Sequence, residues 1–76
     1  MYQARASSFF NLRKLQEAID DYTKAIAINP RTGQAYFNRG ATYFNMQQTA
    51  NACADWKTAL ELGFTKASEM TSAYCR

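Results

Sequence analysis

Residues 36–60 read YFNRGATYFNMQQTANACADWKTAL, and residues 2–26 read YQARASSFFNLRKLQEAIDDYTKAI. Laid on each other at an offset of 34 residues, they agree at Tyr2/Tyr36, Arg5/Arg39, Phe10/Phe44, Asn11/Asn45, Ala18/Ala52, Asp21/Asp55 and Ala25/Ala59. Chemical class is kept at Ala6/Gly40, Phe9/Tyr43, Leu12/Met46, Tyr22/Trp56, Ile26/Leu60 and, just beyond the two stretches, Ile28/Leu62. Most of these pairs fall where apolar residues recur at helical spacing, whereas an accidental match would scatter over both helix faces. The chain carries an internal repeat.

Working outward, Ala18, Ile19, Tyr22, Ala25 and Ile26 recur at steps of three and four, and Ala52, Cys53, Trp56, Ala59 and Leu60 do the same. Each set shares one face of a helix. Asn29-Pro30 stops the first helix, because proline cannot extend a helix and disfavours helical geometry in the residue before it. Gly63 stops the second as a cap that tolerates positive φ. Five helices follow, near residues 2–13, 16–28, 33–46, 50–62 and 66–75. The connections are so short that neighbouring helices run antiparallel, as hairpins.

Composition excludes much else. Seventy-six residues, 47% apolar and 20% charged, make one small globular domain. One proline and three glycines argue against a turn-rich β fold. No apolar run has the ~20 residues of a membrane helix, and residues 1–20 lack the apolar core of a secretory signal. The chain has no histidine, hence no imidazole base or ligand, and two cysteines cannot close a four-ligand metal site. Catalysis, cofactors and metals are therefore not expected. The net charge of +3 comes from basic residues strewn along the chain, which reads as a solvated surface rather than a nucleic-acid footprint.

The aromatic–small–aromatic–Ala–aromatic–Ala pattern of Tyr36, Gly40, Tyr43, Ala52, Trp56 and Ala59 resembles the tetratricopeptide repeat. So does its copy at Tyr2, Ala6, Phe9, Ala18, Tyr22, Ala25 and Pro30. The resemblance implies an all-α superhelical array of antiparallel hairpins: unit 1 over residues 1–32, unit 2 over 33–65, and a closing helix over 66–76. Small residues at 6/40, 18/52 and 25/59 let paired helices approach closely, while aromatics fill the space between hairpins. Three departures stand out. Arginine (Arg5, Arg39) replaces the usual leucine before the small residue, Phe64 replaces the terminal proline of unit 2, and unit 1 starts late, with no cap ahead of Tyr2. In the closing helix Ala67, Met70, Ala73 and Tyr74 are expected to face inward. Lys66, Ser68, Glu69, Thr71, Ser72 and Arg76 supply its polar outer side.

The resemblance also implies that the first helix of each unit lines a concave groove that takes a peptide. The matching positions are Gln3, Ser7, Phe10 and Asn11 in unit 1, and Gln34, Phe37, Asn38, Ala41, Phe44 and Asn45 in unit 2. This stripe is neutral, amide-rich and aromatic, suited to an extended peptide backbone and flat apolar contacts. Phe10 and Phe44 also suit the interior of a hairpin. Some members of the family grip acidic chaperone tails with a clamp of lysines, an arginine and asparagines. Here Gln3, Ser7, Ser68 and Ser72 stand at four of those positions and only Asn38 is kept. Neutral residues cannot supply charge-assisted bonds to carboxylates, so such tails are not the expected ligand.

Two further pairs stand out. Arg5 and Arg39 each precede an aspartate, Asp21 and Asp55, by 16 residues, a spacing that a hairpin converts into an ion pair across its two helices. A ligand-binding role is the alternative. Cys53 and Cys75 flank the turn at Gly63-Phe64-Thr65 at equal height on adjacent helices, so they either form a disulfide or remain two small thiols in a reducing compartment. A disulfide implies an extracytoplasmic setting. The Ala52-Cys53-x-Asp55-Trp56 and Leu62-Gly63 segments look similar to those of bacterial members of the family, in cytoplasm or periplasm. The functional expectation is a scaffold or adaptor that binds a protein or peptide partner, with no nucleic acid and no membrane. Its alternative is a structural piece of a longer array, or a homodimer formed through the uncapped first helix.

Overall fold

The fold was obtained as a computed structural model, which describes residues 14–75. Among these residues there are four α-helices and no strand: α1 (Leu15–Ile28), α2 (Gly33–Asn45), α3 (Thr49–Glu61) and α4 (Ala67–Tyr74). Their ends lie within one residue of those read from the sequence. The helix expected near residues 2–13, with Gln3, Arg5, Ser7, Phe10 and Asn11, lies outside the described residues, as does the expected homodimer face.

Each joint has a local cause. Asn29, ahead of Pro30, takes an extended conformation (φ −137°), and its Oδ1 accepts the Arg31 N–H at 3.2 Å, so the chain turns as soon as α1 ends. Gln47, at φ 63°, closes α2: the Gln48 N–H donates to the Tyr43 carbonyl at 2.9 Å and the Gln47 N–H to that of Phe44 at 3.0 Å. Gly63, at φ 90°, closes α3 in the same way. The Phe64 N–H donates to Ala59 O and the Gly63 N–H to Leu60 O, both at 2.9 Å. These paired bonds satisfy carbonyls that a helix end otherwise leaves open.

Helix α2 packs between α1 and α3, and α4 lies on α3. Ala18, Ile19 and Tyr22 of α1, Ala35 of α2, Ala52, Trp56 and Ala59 of α3, and Ala67 of α4 are buried. The contact between α2 and α3 is close because Gly40 has no side chain. A Cβ there would lie 2.8 Å from Trp56 Nε1 and 3.1 Å from the Ala52 carbonyl oxygen. The indole N–H, fully buried, donates to the Phe37 carbonyl at 3.2 Å, so the largest core side chain leaves no polar atom unsatisfied. Phe64 turns its ring onto Phe37, with centroids 5.1 Å apart.

One expectation for the closing helix needs correction. Ala67 is buried and Met70 half-buried, but Ala73 and Tyr74 are exposed, and Thr71, expected on the outer side, is half-buried. Ala67, Met70 and Tyr74 follow three- and four-residue steps and share a face, while Ala73 lies well off it. Ile28 and Leu62, matched by the repeat, are also exposed. Ile28 is the last residue of α1 and Leu62 the first after α3, both beyond the last core turn.

Candidate protein-interaction groove

The orientation of α2 is fixed by Arg39. Its Nε donates to Asp55 Oδ2 and its Nη2 to Asp55 Oδ1, both at 2.8 Å, a bidentate pair across the second hairpin. Its Nη1 donates to Thr23 Oγ1 on α1 at 3.2 Å. The guanidinium carbon lies 5.5 Å from the centre of the Tyr36 ring and 5.8 Å from that of Tyr43. One side chain thus ties α1, α2 and α3 together at a site where Asp55 is buried. The hydrogen bonds to Asp55 hold the guanidinium above its usual pKa, outweighing the opposing effect of burial. The ion pair expected from the 16-residue spacing is present in this hairpin. The equivalent Arg5–Asp21 pairing involves a residue outside those described.

With α2 anchored, its candidate groove residues fall into two groups. Phe37 and Phe44 are half-buried and have partners inside the molecule. Phe37 meets Phe64, and Phe44 lies 5.8 Å from Trp56 and 4.5 Å from Tyr74. Gln34 and Asn45 are exposed, and Asn38 and Ala41 half-buried. Asn45 donates through Nδ2 to the Ala41 carbonyl at 2.9 Å, within its own helix. The side-chain amides of Gln34 and Asn38 make no hydrogen bond to any described residue, although the Asn38 carbonyl accepts one from Thr42 Oγ1 at 2.9 Å. Gln34, Asn38, Ala41 and Asn45 follow three- and four-residue steps along one side of α2 and form a continuous strip. Sequence reasoning did not foresee Thr23, whose approach to Arg39 depends on how successive hairpins stack.

Cys53 of α3 and Cys75, just after α4, are joined in a disulfide with Cα atoms 5.6 Å apart. No cluster of histidine, cysteine, aspartate or glutamate that could hold a metal is found among the described residues, and no helix among them is long and apolar enough to cross a membrane.

A family model described as TPR repeat matches residues 6–47, and one described as tetratricopeptide repeat matches residues 33–62. With the helix hairpins, small-residue contacts and aromatic core described above, the chain belongs to the tetratricopeptide repeat family. It is 40% identical over 58 residues to human RNA polymerase II-associated protein 3, covering 76% of this chain and 9% of that protein. It is 35% identical over 68 residues to the rice protein SGT1 homolog, covering 90% and 17%. To the DnaJ homolog subfamily C member 7 homolog of Dictyostelium discoideum it is 32% identical over 62 residues, covering 82% and 12%. The chain thus spans a small part of each relative. All three are eukaryotic and none is named as an enzyme; the expected bacterial setting has no counterpart among them.

Proposed function

We propose that this chain is a protein-interaction module whose first helices hold a segment of a partner, with the strip Gln34, Asn38, Ala41 and Asn45 as the described part of the groove. Asn38 carries this reading. Asn38 is half-buried and its carboxamide makes no hydrogen bond to any described residue, and an extended peptide backbone offers it both a donor and an acceptor. Ala41 leaves room for that backbone to approach. The strip has no cation to pair with a carboxylate, so the ligand is a neutral or mixed-charge segment rather than an acidic tail. Gln3, Ser7, Phe10 and Asn11 would extend the groove into the first unit. Membership of the family supports the general role, and the amides support the choice of face.

A displayed peptide library selected on the chain, followed by titration calorimetry of the selected peptides, tests this. Asn38→Ala should weaken binding roughly five- to tenfold, the loss of about one net hydrogen bond, with the melting curve unchanged. Selected peptides that bind Asn38→Ala and Gln34→Ala as tightly as the original chain would place the interface elsewhere.

A further inference from the structure

Helix α4 is only eight residues long, below the ~12–15 residues at which even a favourable isolated helix is marginal in water. Its apolar hold on the rest comes from a few side chains. Ala67 is buried and Met70 half-buried, and Tyr74 remains 48% exposed although its ring lies 4.5 Å from Phe44 and 6.0 Å from Trp56. Helices α2 and α3, by contrast, are locked by Trp56 against Gly40 and by the Arg39–Asp55 pair, neither of which involves α4. The far end of α4 has one covalent tie, the bond from Cys75 to Cys53, which spans 22 residues of chain. Both cysteines are half-buried, so neither is sealed from solvent.

We infer that the Cys53–Cys75 disulfide is a reversible latch on the closing helix: while it is intact α4 covers the second hairpin, and when a dithiol reduces it α4 detaches from a hairpin that stays folded. A thiolate of the dithiol attacks one cysteine sulfur and breaks the S–S bond, and the released cysteine thiolate takes up a proton. The second thiol of the reductant then displaces the other cysteine. Two electrons and two protons pass to Cys53 and Cys75, and the reductant leaves as a cyclic disulfide. Opening bares Phe44 and Trp56, the aromatic face against which Tyr74 lies. A bond closing a loop of this size shifts the opening equilibrium on the order of a hundredfold.

Hydrogen exchange followed by mass spectrometry tests the latch on three samples: the oxidised chain, the chain with dithiothreitol, and the Cys53→Ser/Cys75→Ser double variant. The latch predicts that amides of residues 68–75 exchange about a hundredfold faster on reduction while those of α2 and α3 keep their protection. The double variant should exchange fast over 68–75 with or without reductant, and emission from Trp56, the single tryptophan, should shift to the red when the original chain is reduced. Equal exchange of α4 in both redox states would overturn the inference. So would loss of protection throughout α2 and α3, which would make the bond a staple of the whole fold, or two alkylatable thiols in the air-oxidised chain. Should the double variant not fold, the reduced original chain decides alone.

Discussion

Gln47 adopts a left-handed backbone, φ 63°, without being a glycine. It does for α2 what Gly63 does for α3, and the two closures share the same pair of backbone bonds. In that region a Cβ crowds the neighbouring carbonyl, and glycine avoids the cost. Gln47→Gly should therefore raise stability by ~0.5–1 kcal/mol, visible as a higher urea midpoint at constant slope. A lower midpoint would mean that the turn is not held as described. Gly63 was legible as a helix end because its residue type announces positive φ. Gln47 was not, since nothing in Met46-Gln47-Gln48 marks it beyond polarity. The same contrast divides the groove. Helical spacing alone puts Phe37, Phe44 and Asn38 near one face, and only the placement of Phe64, Trp56 and Tyr74 separates rings with internal partners from an amide with none among the described residues.

At the level of elements, the Arg39–Asp55 pair joins α2 to α3. Both groups are largely withdrawn from water, with side chains 18% and 8% exposed, so removing one strands the other. Arg39→Ala should cost about 2–3 kcal/mol. The Arg39→Ala/Asp55→Ala double variant should cost less than the sum of its parts, by about 1–2 kcal/mol, in a cycle measured by chemical denaturation. Strict additivity would show that the pair does not couple α2 to α3. Because the guanidinium pKa is raised, its contribution is complete below the unfolded value and lost only as pH climbs through the still higher folded one. The arginine charge therefore gives the pair no pH dependence near neutrality. The pairing was legible because a fixed 16-residue spacing in a short hairpin brings one level of each helix together. The bond to Thr23 and the flanking Tyr36 and Tyr43 rings were not, since they depend on packing between hairpins. Ile28 and Leu62 show the converse: repetition marked them, yet they lie outside the core.

Over the whole described chain, helix number, order and ends followed from apolar periodicity and from two punctuating signals, Asn29-Pro30 and Gly63. Such features are local, and a 34-residue repeat doubles each of them. A binding face is not local. It is the part of the surface left after packing, and the face proposed here is the strip Gln34, Asn38, Ala41 and Asn45 on α2. The relatives named above are much longer proteins, in which this stretch is one segment among several. The most direct test of the central claim is nuclear magnetic resonance of the labelled chain titrated with a library-selected peptide. The account predicts that the side-chain amide signals of Gln34, Asn38 and Asn45 and the backbone of Ala41 move together and saturate at one affinity. Shifts confined to the exposed ends of α1 and α3, around Ile28 and Leu62, with those amides unmoved, would contradict it.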